Sequence, residues 1–140
     1  MNKGKTIEVL RLGESASSTK TISDTDVLAF ASVSGDHNPV HLDEAFAKTT
    51  MFGGRIVHGM LVGTLFSSIL GTQLPGNGSI YLGQELKFVK PVRLGDTITA
   101  TVTVIEIIKD RNRIKLETTA RNQNDELVVT GVATIMPPKD

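Results

Sequence analysis

The chain has 140 residues, with 15 basic and 15 acidic side chains, three histidines and neither cysteine nor tryptophan. Without cysteine there is no thiolate nucleophile, no disulfide and no Cys-ligated zinc or iron–sulfur centre. A formal net charge of zero speaks against nucleic-acid or polybasic membrane binding, and the length suits one domain, residues 1–140, with its own hydrophobic core.

The elements follow in chain order. The basic residues near the N-terminus lead into no apolar run, so no secretory signal is expected, and the longest apolar stretch, near residues 60–70, falls short of a membrane span. A soluble cytoplasmic protein is the expectation. Two short β-like pieces, 7–12 and 19–22, come first. Ser23-Asp24-Thr25-Asp26 has capping-box spacing, and Val27, Leu28, Phe30, Ala31 and Val33 then recur at roughly helical period. This predicts a helix over 24–34, closed by Gly35. A loop spans 36–41, and Asp43 is a good N-cap for a short helix through Ala47. Residues 51–55 read as irregular.

From Gly59 to Leu70 the chain is apolar on nearly all sides, which predicts a buried helix ending near Gly71. Gly63, Ser67 and Ser68 would allow close packing against a sheet. Period-two alternation then marks strands at 80–88, 98–108, 114–121 and 127–136, with turns at 110–113 and 122–125. The fold class is α+β: one long helix wrapped by a curved antiparallel sheet satisfies the pattern, as does a generic α+β sandwich. One sheet covers only part of an all-apolar helix, so a homodimer is expected.

The chemistry concentrates in one loop. All three histidines lie between positions 37 and 58, and Ser34-Gly35-Asp36-His37-Asn38-Pro39-Val40-His41 sets a carboxylate five positions from an imidazole. Extended, that distance is roughly 17 Å, but Asn38-Pro39 is a turn signal that can fold the segment back. Asp36 and His41 then converge on one water. The plainer alternatives are an Asx-turn for Asp36 and a structural imidazole for His41. Asp36, His41 and His58 lack a tight metal-ligand spacing, so neither a metal nor a cofactor is expected. His37 is read as solvent-facing and His58 as bonding nearby backbone.

The run from Phe30 through His41, with Ala47 after five further residues, is similar to the hydratase-2 motif of the MaoC-like family, the (R)-specific enoyl-CoA hydratases. Ile56-Val57-His58-Gly59-Met60-Leu61, residues 76–82, Phe88-Val89-Lys90-Pro91-Val92 and Gly95-Asp96 extend the likeness over nearly the whole chain. The resemblance implies a hot-dog fold, a long buried helix wrapped by a curved antiparallel sheet, paired as a homodimer. It implies addition of water to a trans-2-enoyl-CoA, giving the (R)-3-hydroxyacyl thioester, on short acyl chains.

Such a reaction needs a positioned water, a base, a proton source for C2 and a stabiliser for the thioester oxygen. Asp36 and His41 are the expected catalytic pair. The backbone N–H of Gly59, at a helix N-terminus, is the expected oxyanion donor, and glycine there permits close approach. Asn38 would orient the loop or bond a carboxylate, its plainer role being a turn former. Ser67 aligns with a site-lining serine of the family, its plainer role being a small packing residue. Lys87, Lys90 and Arg93 would meet phosphates or form a solvated basic face. A 3-hydroxyacyl-ACP dehydratase uses the same pair on acyl-ACP. A hot-dog thioesterase would need a carboxylate at the central helix, which residues 60–70 lack. A non-catalytic acyl-thioester-binding module would have no need of the Asp36/His41 pair.

Overall fold

In the computed structural model, which describes residues 2–140, the alternating segments form one antiparallel sheet. Its strands are β1 (Ser15–Thr21), β2 (Ile80–Phe88), β3 (Thr97–Ile108), β4 (Arg113–Arg121) and β5 (Leu127–Met136), in the spatial order β1-β3-β4-β5-β2. Between β1 and β2 come the helices α1 (Asp24–Ser34), α2 (Pro39–Leu42), α3 (Glu44–Ala47) and α4 (Gly59–Thr72). The period of two does what it should. Ile98, Ala100, Val102 and Val104 of β3 and Ile114, Leu116 and Ala120 of β4 are buried against α4's apolar side chains. The other face of β3 carries threonines, which pair across to β1 through Ser17–Thr101, Thr19–Thr99 and Thr21–Thr97 hydroxyl contacts of 2.8–3.0 Å.

Three register shifts, at Tyr81/Gly83, Val104/Glu106 and Ala120/Arg121, interrupt the ladders. Bulges of this kind bend and twist strands, which curves the sheet around the helix. Gly131 lets β5 and β2 pair closely, since a Cβ there would lie 1.8 Å from the Glu85 carbonyl oxygen. β2 is an edge strand held to the sheet through β5.

The α+β expectation and most element boundaries hold, and the differences have physical reasons. Residues 7–12 are two turns with irregular chain between them, not a strand. Ile7 and Leu10, three apart, are the buried pair there, a spacing that short windows confuse with alternation. β1 starts at Ser15, earlier than the apolar pattern suggested, because its outward hydroxyls pair with β3. α2 lies within what reads as a loop: Asn38 caps it and Pro39 sits at its first position. α4 continues through Gly71 to Thr72.

The central helix is the main correction. It is apolar in composition, yet Leu61, Val62, Phe66, Ile69 and Leu70 form one buried stripe, and Met60, Thr64, Ser67 and Ser68 are exposed. The sheet therefore covers one face, and the opposite face is left as the floor of a groove.

Candidate active site

The site starts from two caps. Ser23 caps α1, its hydroxyl accepting from the Asp26 N–H while the Asp26 carboxylate accepts from the Ser23 N–H. At the far end Gly35 takes the left-handed conformation (φ 78°) and donates to the Ala31 carbonyl at 2.9 Å. The chain turns sharply there, and Asp36 is the next residue. Its carboxylate accepts from the Asn38 N–H at 3.1 Å, and the Asn38 side chain accepts from the Val40 N–H at 3.2 Å. These two local bonds fold the loop back and set His41 on the single turn of α2.

His41 is buried, and its Nδ1–H donates to the Ile56 carbonyl at 2.8 Å. That fixes the tautomer of the neutral ring, leaving Nε2 as the free lone pair. His58, just before α4, is 2% exposed. Its Nε2–H donates to the backbone carbonyl of Asp36 at 3.1 Å. Its ring stacks on His41, with centroids 3.9 Å apart and planes 29° off parallel, and is tilted against Phe30 at 4.8 Å. One imidazole thus braces both expected catalytic residues. Burial, together with the neighbouring His41, holds His58 below the ordinary imidazole range. Its Nδ1 is buried with no hydrogen-bond partner among the described residues.

Donor atoms of Asp36, His41 and His58 lie within 4.8 Å of one another, closer than their spacing in the chain suggests. They are of a type that can hold a metal ion. One nitrogen of each ring is already engaged with a backbone carbonyl, His41 Nδ1 with Ile56 and His58 Nε2 with Asp36.

A cavity of about 470 Å³ opens here, lined by Asp36, His41, His58 and Gly59 together with Ile56, Phe88 and Pro91. Gly59 is the first residue of α4, so its N–H has no intrahelical acceptor. A Cβ on Gly59 would lie 2.6 Å from the Phe88 ring, so any side chain there would have to displace that ring.

Of the residues singled out in the sequence, Asp36, His41 and Gly59 meet in this cavity. Asn38 does not line it, and its side chain serves as the α2 cap. Ser67 lies in a second hollow of about 620 Å³ along α4. His37 is exposed, as expected, with Nδ1 3.1 Å from the Gly35 carbonyl. Lys90 pairs with Glu126, and Arg93 donates to the Gly54 carbonyl at 3.3 Å.

Sequence reasoning missed Arg55. Its Nε donates to the His41 carbonyl at 2.7 Å and its Nη2 to Asp24 at 2.6 Å, tying α2 to the start of α1. No motif marks such a residue, because its main acceptor is a backbone carbonyl.

A carboxylate, an imidazole with a free Nε2 and a helix N-terminus surround one cavity, on the helix-and-curved-sheet scaffold of a hot-dog fold. The MaoC like domain family matches residues 11–126, and the chain belongs to that family. It is 47% identical over 131 residues to an (R)-specific enoyl-CoA hydratase of Rhodospirillum rubrum, covering 94% of this chain and 90% of the relative. It is 49% identical over 129 residues to one from Aeromonas caviae, covering 92% and 96%. The unliganded R-hydratase PhaJ1 from Pseudomonas aeruginosa superposes with a TM-score of 0.92 at 46% identity, over 98% of this chain and 88% of that one.

Proposed function

We infer that the protein is an (R)-specific enoyl-CoA hydratase that adds water to a short trans-2-enoyl-CoA, and that it works as a cytoplasmic homodimer. The observation that carries this reading is the convergence of Asp36, His41 and Gly59 on one cavity, in a chain nearly half identical to enzymes of that name.

A water held between the Asp36 carboxylate and His41 Nε2 donates one O–H to each. The thioester oxygen accepts from the Gly59 N–H, so charge developing on the enolate meets a helix N-terminus. Transfer of one water proton leaves a hydroxide that forms the new C–O bond at C3. The C2=C3 π electrons move towards the thioester, and the same proton returns to C2. Atoms and charge balance without a cofactor. Asp36 orients and deprotonates the water, and His41 holds that water and assists delivery to C2. Both parts of the water come from one side of the substrate, which makes the addition syn.

The dimer has support in the exposed apolar side chains of one edge. Ile80, Leu82 and Phe88 of β2 and Met60 of α4 are each more than two-fifths exposed, an apolar edge that monomers usually cover. The cytoplasmic assignment rests on the sequence. Among the described residues, no helix is long and apolar enough to cross a membrane.

Loss of the crotonyl-CoA enone absorbance tests the reading. Asp36→Ala and His41→Ala should each lower kcat by about 100-fold or more. Near wild-type turnover by either variant removes that residue from the chemistry. Parallel assays with crotonyl-ACP decide the carrier, since preference for the ACP thioester would favour the dehydratase alternative.

A further inference from the structure

A helix of one turn cannot fix the position of a side chain by itself. Forming the first turn is unfavourable and only propagation offsets it, yet α2 has just four residues, Pro39–Leu42. Its last carbonyls also have no donor within the helix. His41 sits on this turn, so its placement has to be supplied from outside.

Two consecutive residues supply it. The Ile56 N–H donates to the Val40 carbonyl at 3.2 Å, Arg55 Nε donates to the His41 carbonyl at 2.7 Å, and His41 Nδ1–H donates to the Ile56 carbonyl at 2.8 Å. His41 is thus held at its backbone by one residue and at its ring by the next. Of these three bonds, the one from Arg55 is the one whose donor is a side chain of the 55–56 pair. The second arm of Arg55, Nη2, reaches Asp24 at 2.6 Å. The Arg55 side chain is 17% exposed and that of Asp24 is 58% exposed, so the end that meets His41 is sheltered and the end that meets Asp24 is screened by solvent.

We propose that Arg55 is a positioning residue for the hydration step: its Nε bond to the His41 carbonyl holds the single turn of α2 so that His41 Nε2 faces the water shared with Asp36. Because the clamp acts through His41, the proposal rests on the hydratase reading. Misplacing a reacting group by about 1 Å can cost on the order of 100-fold in rate, and one helical turn has little internal bonding to resist such a shift. Arg55 does not line the cavity, so its loss should act on kcat and leave substrate binding alone. The N–H donor carries the effect, and the positive charge does not, since the exposed ion pair contributes little.

The test separates donor from charge. Arg55→Met keeps the stem and loses the donor. Arg55→Gln puts an amide N–H where Nε stood, without the charge and without the reach to Asp24. With crotonyl-CoA, Arg55→Met should lower kcat about tenfold and leave KM within about twofold of wild type. Arg55→Gln should restore kcat to within about threefold of wild type, and Asp24→Ala should stay within the same range. Nitrogen-15 shifts of the imidazoles read the clamp without turnover. His41 should be the Nδ1–H tautomer in wild type and Arg55→Gln, and a mixture of tautomers in Arg55→Met. Wild-type kcat in Arg55→Met, or Arg55→Gln as slow as Arg55→Met, would overturn the proposal. If Arg55→Met does not fold, the kcat of Arg55→Gln decides alone. A wild type that hydrates no enoyl thioester would instead sink the hydratase reading, and the imidazole shifts would still test the clamp.

Discussion

The cavity around Asp36 and His41 and the groove beside it share a helix but are held in place differently. Around Asp36 and His41 the side chains are fixed by bonds to backbone: the Asn38 N–H to Asp36, His41 to the Ile56 carbonyl, His58 to the Asp36 carbonyl and Arg55 to the His41 carbonyl. In the groove the side-chain bonds to backbone stay within one element, Thr64 to the Leu61 carbonyl and Gln84 to the Glu85 carbonyl. Its walls are a helix face and an edge strand that carries the exposed Ile80, Leu82 and Phe88. Chemistry that depends on position to a fraction of an ångström sits where the backbone dictates geometry.

The largest expected effect falls on β2, the strand that walls the groove. Gly131→Ala places a Cβ against the Glu85 carbonyl, so β2 must move away from β5. We expect a loss of about 3 kcal/mol, read by thermal unfolding, with amide exchange speeding up first along β2. Uniform exchange across the α1–α2 loop as well would show that the two regions are not separable.

His58 sharpens the other side. His58→Phe keeps a stacking ring but leaves the Asp36 carbonyl without its donor, at a cost of about 1–3 kcal/mol. Crotonyl-CoA and octenoyl-CoA hydration should fall by the same factor, since the groove is untouched, and His58→Gln should restore part of the loss. An effect confined to one chain length would contradict this. The residue also makes stability depend on pH. Its imidazole titrates below the ordinary range in the folded state, so below about pH 6.5 the unfolded chain binds more protons than the folded one. Stability is therefore full above that value and falls as the pH drops through it. Thermal midpoints taken across this window should fall less on acidification in His58→Phe than in wild type.

Arg55 gives the smallest effect. Its partner Asp24 is more than half exposed, so the ion pair counts for little. The charged bond to the His41 carbonyl should dominate. Arg55→Met, which keeps the apolar stem, should cost about 1–2 kcal/mol in denaturant titration. Asp24→Ala should cost under about 0.5 kcal/mol. Equal losses would assign the value to the ion pair instead.

The contrast between the two regions also explains what could be read from the sequence. That Asp36 and His41 come together was legible because they lie in one contiguous run with a turn signal between them. Gly59 was legible because a helix N-terminus has free donors whatever surrounds it. His58 and Arg55 act on carbonyl oxygens of residues 36 and 41, and a sequence displays side chains, not the carbonyls that face them. The helix at 59–72 was placed correctly but read as buried all round. Composition does not say which face meets the sheet, and that face depends on strands contributed by residues 80–136. The turns at 7–12 were misread because a buried pair three residues apart fits several local shapes.

The most direct test of the central claim is the configuration of the product made from crotonyl-CoA. The account predicts (R)-3-hydroxybutyryl-CoA alone from the wild type and essentially none from Asp36→Asn, a variant that keeps the turn but not the base. Formation of the (S) product, or unchanged (R) product from Asp36→Asn, would contradict it.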